Sequence, residues 1–216
     1  MTDMIIATSA PTPTHIQVGI ANVPFYSQFT DIESAKWQKV GCGVTSLAMI
    51  IDYYKPDAVS VETLLTRGIA SGAYDQSAGW SHQGLISLSK KYGLDGSSYD
   101  LSGSGMTSAF GKLTAQVKKG PVIVSVHYKF DPKSTIPHLV VVDGISGDTV
   151  YYNDPASKSG QKHISVSSFQ AGWKKKYIVV RPTAVAVVSP TTDARSETRQ
   201  PSLTLFLDGL LGRFTA

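Results

Sequence analysis

The spacing of apolar residues divides the middle of the chain into two halves. In GCGVTSLAMIIDYY (41–54) apolar residues occupy nearly the whole circumference from Cys42 to about Tyr54, as in a helix buried on most sides, and Lys55-Pro56 stops it. SVETLLTRG (60–68) follows as a short helix, with Ser60 as N-cap and Gly68 as its C-terminal stop. SHQGLISLSKKYGL (81–94) places Leu85, Leu88 and Tyr92 at three- and four-residue spacings, with lysines in the last turn and Gly93 beyond it. A fourth helix spans roughly Thr107 to Lys118. After Gly120 the pattern becomes strand-like: PVIVSVHY, HLVVVDGI, TVYYNDP and KYIVVRP are short, rich in Val and Ile, and separated by Gly, Asp, Pro or Ser. Runs as apolar as VIVSV and LVVV imply burial on both faces. Helices first and strands second predict an α+β domain rather than a parallel doubly wound one.

The two ends read differently. Residues 1–22 are rich in Thr, Ala, Ser and Pro, and are predicted to form a flexible arm before a domain that begins near Val23 and ends near Pro182. Residues 183–200 are Pro-, Ser-, Thr- and Arg-rich and read as a linker. Beyond it, in residues 201–216, Leu203, Leu207, Leu210, Leu211 and Phe214 recur at helical spacing. They predict a short amphipathic helix that docks on its own domain or on a partner.

Composition narrows the function classes. The 216 residues are 42% hydrophobic, enough for a proper core without a staple. A single cysteine excludes an internal disulfide and a cysteine-based zinc site, and nothing calls for a cofactor or metal. The net charge is +4, but the lysines fall in small groups such as Lys90-Lys91 and Lys174 to Lys176, so no basic stripe points to nucleic acid. The sequence shows neither a secretory signal pattern nor a transmembrane segment, and a cytoplasmic location is the default expectation.

Cys42 is the first candidate for chemistry. In the first turn of a helix a cysteine meets free backbone N–H groups and the positive end of the macrodipole, which favour thiolate. The flanking Gly41 and Gly43 would let the chain turn sharply and a substrate approach. A lone cysteine on an apolar helix is nevertheless more often inert filler, so Cys42 needs a base. Of five histidines, His138 opens the most apolar strand, where a polar ring must find a partner or face a cleft. If Ser146, Gly147 and Asp148 form a three-residue hairpin loop, counting back places Asp154 opposite Val140, on the face of His138. A two-residue loop would put Asp154 on the other face, and Asp143 is the fallback carboxylate. The alternative for His138 and Asp154 is a strand-end histidine and a turn aspartate before Pro155.

Taken together, VPFYSQ (23–28), GCGVTSLAMIIDYY, GLISLSKKYGL (84–94), KKGPVIVSV (118–126), PHLVVVDGI (137–145) and YYNDP (151–155) resemble the papain-like cysteine peptidases. The resemblance is closer to the peptidase-like branch related to the bacteriocin-processing, double-glycine-leader peptidases, and it covers roughly residues 23–182. It implies a papain-like fold, with the nucleophile helix packed on an antiparallel sheet, and hydrolysis of a peptide or protein substrate through a thioester. It further implies Cys42 as nucleophile, His138 as general base and acid, and Asp154 as the residue that orients His138. Gln28 matches the family's oxyanion-hole glutamine, with Gln38 as a rival because the offset from Cys42 is longer than in papain. The chain departs from the transporter-linked peptidases in having no membrane domain and no P-loop, so a double-glycine leader is only an analogy for its substrate. Acyl transfer to an amine, as in transglutaminase-like relatives, and a catalytically silent binding module are the alternatives.

Overall fold

The computed structural model describes residues 20–183. The expectations for residues 1–19, for the linker after Thr183 and for the amphipathic helix of 201–216 lie outside the described residues. The element order is α1 (Ala35–Gln38), α2 (Cys42–Tyr54), α3 (Val61–Ala70), β1 (Tyr74–Asp75), β2 (Gly79–Trp80), α4 (His82–Lys90), β3 (Leu94–Asp100), α5 (Met106–Val117), β4 (Val122–His127), β5 (Pro137–Ser146), β6 (Thr149–Asn153), β7 (Lys162–Ser165), α6 (Val166–Gly172) and β8 (Trp173–Pro182). Six strands form one antiparallel sheet in the order β3-β8-β4-β5-β6-β7, and β1 and β2 form a separate hairpin. The α+β class is as the residue pattern implied, and the nucleophile helix packed on an antiparallel sheet is as the family resemblance implied.

The apolar runs are buried on both faces because the sheet is a middle layer. Ile123, Val141, Ile178 and Val180 pack with α2, α3 and α4. Their neighbours Val122, Val124, Val140, Val142 and Val179 pack with Ala109, Leu113 and Val117 of α5 and Phe169 of α6. In α2, Val44, Leu47, Met49 and Ile51 are fully buried, each such side chain contributing about 1.5–3 kcal/mol relative to exposure. This helix is the spine on which Cys42 sits. Among the described residues no helix is long and apolar enough to cross a membrane.

Five elements carry no clear apolar signature. β3 (LDGSSYD) buries only Leu94, yet it pairs with β8 over its whole length, from Leu94↔Pro182 to Asp100↔Lys176. Its polar composition is that of an edge strand, so the helical half of the chain contributes a strand to the sheet between α4 and α5, which corrects the expectation of helices first and strands second. β7, α6 and the β1–β2 hairpin are likewise short and largely polar. Gly68 is not a helix stop: α3 continues to Ala70, and the left-handed residue beyond it is Gly72 at φ +70°. Gly68 is instead a packing glycine, since a methyl there would lie 2.6 Å from Trp80 Cζ3.

The β5–β6 hairpin corrects another expectation. Ser146 pairs with Thr149, so the loop has two residues, Gly147 and Asp148, with Gly147 at φ +54° in the first central position where a type II′ turn favours glycine. That loop alone would send Asp154 to the wrong face. A β-bulge restores the phase: Gly144 pairs with Tyr151 but Val142 pairs with Tyr152, leaving Asp143 as the extra residue. Asn153 then faces Val141, and carrying the register one residue further puts Asp154 opposite Val140.

Candidate active site

Cys42 is the first residue of α2 and is half-buried. No side chain caps this helix, so its first backbone N–H groups are left to whatever occupies the space before them. Neither flanking glycine has a left-handed φ. They are required by close packing instead of by a sharp turn, which corrects the reading of Gly41-Cys42-Gly43 as a turning point. A methyl on Gly43 would lie 2.5 Å from Trp80 Cγ, and one on Gly41 would run into the Ile32 side chain. Trp80 is fixed from the other side, its Nε1 donating to Val40 O at 2.6 Å. Gly43→Ala should therefore lower stability by about 1–3 kcal/mol despite alanine's better helix propensity, read as a shift of the urea midpoint at unchanged slope.

His138 is buried at the head of β5, and its Nε2 lies 2.6 Å from Asp154 Oδ1. That leaves Nδ1 as the ring nitrogen available to Cys42, whose thiol is close enough to act on the imidazole. Burial by itself would lower the histidine's pKa. The Asp154 carboxylate and Cys42 outweigh it and raise the pKa to about 9, so the ring is an imidazolium at neutral pH. Asp154 Oδ1 also accepts from Ala156 N at 2.8 Å, which sets the carboxylate at the Asp-Pro turn. Tyr128 stands edge-on to His138, with ring centroids 5.4 Å apart.

The segment VPFYSQ is tied to the same turn, as Gln28 N donates to Pro155 O at 2.8 Å and Ser27 Oγ to the same carbonyl at 3.4 Å. Gln28 is buried, and its Nε2 donates to Gln38 O at 2.7 Å, which fixes the amide orientation because that carbonyl can only accept. One N–H of the amide remains. Gln38, the rival, spends its own Nε2 on Phe29 O and Ile32 O and is a brace behind Gln28.

A cleft of about 840 Å³ brings Gln28, Cys42 and His138 together; Gln38 is not in its wall. Trp80, Tyr74, Tyr128 and Ile136 supply apolar lining, and His82, Ser125, Asp100, Lys174 and Lys176 polar lining. His82 Nε2 is 2.9 Å from Ser125 Oγ, and its pKa is lowered by burial and then by Lys176. His82, Ser125 and Tyr128 escaped the sequence reading because their elements gather at the cleft only in three dimensions. Asp143, the fallback carboxylate, is absent from this wall. It is buried at the bulge beside Asn153, whose Nδ2 is 3.3 Å from Asp143 Oδ2. Among the described residues no group of acidic, His or Cys side chains is arranged to hold a metal ion.

Residues 20–181 match the model of the Peptidase_C39 like family. Among solved structures, a double glycine motif protease from an AMS/PCAT transporter, in complex with its leader peptide, is 26% identical. That match covers 76% of this chain and 95% of the other, with a TM-score of 0.54. A protein from Bacillus anthracis described as a C39-like peptidase is 22% identical over 77% of this chain and 99% of its own, with a TM-score of 0.53. The peptidase domain of Streptococcus ComA, a bifunctional ABC transporter of a quorum-sensing pathway, is 22% identical over 67% of this chain and 93% of its own, with a TM-score of 0.51. The last two likenesses speak to the fold. No curated protein matches the chain.

Proposed function

Because the chain belongs to the Peptidase_C39 like family, we propose that it is a cysteine peptidase that hydrolyses peptide bonds through a thioester, with Cys42, His138 and Asp154 as its triad. The observation that carries the reading is a juxtaposition of side chains at the cleft. A thiol at an uncapped helix N-terminus shares that cleft with a buried imidazole, whose far nitrogen is held 2.6 Å from a carboxylate. Each part alone has a structural explanation. Together they form a nucleophile, a proton carrier and an orienting group.

The thiolate of Cys42 attacks the scissile carbonyl, forming a C–S bond and an oxyanion. The backbone N–H of Cys42 and the remaining N–H of Gln28 are the donors proposed for that oxyanion. His138, protonated at neutral pH, gives its proton to the leaving amine as the C–N bond breaks. The neutral ring then takes a proton from water, which attacks the thioester; the C–S bond breaks, releasing the acid and returning the Cys42 thiolate beside the protonated ring. Asp154 holds the ring through both halves. The solved relative in complex with its leader peptide supports a peptide as the substrate class.

The test is mass spectrometry of the full chain after an acyloxymethyl-ketone peptide probe, alongside cleavage of a peptide library. Cys42 should carry the adduct, and cleavage should stop in Cys42→Ala. Cleavage that persists in Cys42→Ala would end the reading, as would a failure to cut any library member. An amine adduct in place of acid product, when a primary amine is added, would reassign the same residues to acyl transfer.

A further inference from the structure

The wall of the cleft holds three lysines, Lys39, Lys174 and Lys176, against a single carboxylate, Asp100. Asp100 is already occupied: Oδ2 lies 2.9 Å from Lys176 Nζ, and Oδ1 accepts from Ser102 N at 3.0 Å and Ser102 Oγ at 2.6 Å. Lys174 is half-buried and takes part in none of the ion pairs among the described residues. Burial lowers the pKa of His82, and the charge of His138 is matched by Asp154 at 2.6 Å, so the excess of lysines over carboxylates in the wall is what leaves the cleft net positive.

The backbone of β8 is bent where Lys174 emerges. Trp173 pairs with Val126 and the next pair is Lys176 with Ser125, so Lys174 and Lys175 bulge from the ladder. Lys175 is left-handed at φ +54°, a conformation that strains a residue carrying a side chain. Its Nζ donates to Ser102 O at 2.6 Å and Ser104 O at 2.8 Å, which staples the bulge to the loop after β3. Bulges beside a cleft re-aim side chains, and this one presents Lys174 to the cavity while Lys175 holds the frame.

We propose that the β8 wall is a subsite for a carboxylate of the peptide substrate, with the Lys174 ammonium as its anchor, so that the preferred substrates are acidic peptides. The inference rests on the cleft being a peptide site. A half-buried ammonium in the cleft wall recognises a carboxylate more strongly than an exposed lysine does. The carboxylate is that of an Asp or Glu side chain or of a free C-terminus.

The experiment is fluorescence anisotropy with the full-length Cys42→Ala chain and labelled peptides in which one Glu is walked along a neutral sequence. Each peptide is made with Gln at the same position and with free or amidated C-terminus. At one position Glu should bind about 5- to 10-fold tighter than Gln, and the preference should fall with added salt. It should disappear in Lys174→Gln, survive in Lys90→Gln, and reverse toward a Lys-containing peptide in Lys174→Glu. A gain seen only with the free C-terminus assigns the carboxylate to the chain end. Equal binding of Glu and Gln peptides with either terminus overturns the proposal, and so does a preference that survives Lys174→Gln. Binding and hydrolysis separate the two readings. Cleavage without acid preference removes this subsite and leaves the peptidase, whereas acid-selective binding with no cleavage by the wild type keeps the subsite and removes the peptidase.

Discussion

His138→Ala should lower kcat/KM for peptide hydrolysis by about 10³- to 10⁴-fold without unfolding the domain. General acid–base assistance by a positioned side chain is worth about 10²–10⁴, and here one ring must both support the thiolate and protonate the leaving amine. Removal is tolerated structurally because β5 is held by its backbone pairing to β4 and β6, not by the imidazole. The pH profile adds a second readout. The pKa of about 9 depends on Asp154 and Cys42 prevailing over burial, so kcat/KM should fall as pH rises through about 9, where the proton for the leaving amine is lost. Asp154→Asn removes one of the raising causes. Its alkaline limb should therefore move to lower pH, with kcat reduced by on the order of 10²-fold. An unmoved limb in Asp154→Asn would show that the 2.6 Å contact is structural.

Asp143→Asn should stabilise the protein at alkaline pH. Asp143 is buried, its Oδ1 has no hydrogen-bond partner among the described residues, and burial pushes its pKa up to about 7. The folded state therefore holds this proton more tightly than the unfolded chain does. The stability associated with the neutral acid is fully present below about pH 4 and is lost as pH rises to about 7. Raising the carboxyl from its ordinary range to about 7 corresponds to on the order of 2–4 kcal/mol. The amide cannot ionise, so the variant should match wild type near pH 4 and exceed it by about that amount at pH 8. Urea melts across pH 4–8 read the difference, and parallel curves for the two proteins would contradict the assignment. Activity is informative too, since Asp143 is the extra residue of the bulge that phases Asp154 against His138.

Much of this was readable along the chain where burial is dictated locally. The helix over Cys42–Tyr54 announces itself because it is apolar on nearly every side, and β4, β5 and β8 because a sheet covered on both faces needs continuous apolar runs. Ser60 caps α3 through its side-chain oxygen, as its place in the sequence implied, and Ser81 does the same for α4. β3 and α6 were not readable. An edge strand with one buried side chain owes its conformation to the partner it pairs with, and a one-phenylalanine helix to the cavity that its phenylalanine fills.

The hairpin shows how a correct placement came from an incorrect count. A three-residue loop and a two-residue loop plus a bulge have the same length in sequence and bring Asp154 to the same face. Alternation can state that two residues share a face. It cannot tell where an extra residue is absorbed, because a buried aspartate in a strand and a polar loop residue look alike in one dimension.

By itself, then, the amino-acid sequence determined the apolar helices and strands and offered Cys42, His138 and Asp154 as candidates for chemistry, and the resemblance to papain-like peptidases implied a role for each. The elements follow from periodicities of 3.6 and 2, and the candidates from the chemistry of single side chains. Tertiary structure alone decided that Gln28 lines the cleft while Gln38 braces it, that Gly41, Gly43 and Gly68 serve packing, and that Lys174 stands in the cleft wall. Such choices depend on contacts between segments far apart in the chain, and local pattern carries no information about the distance between them.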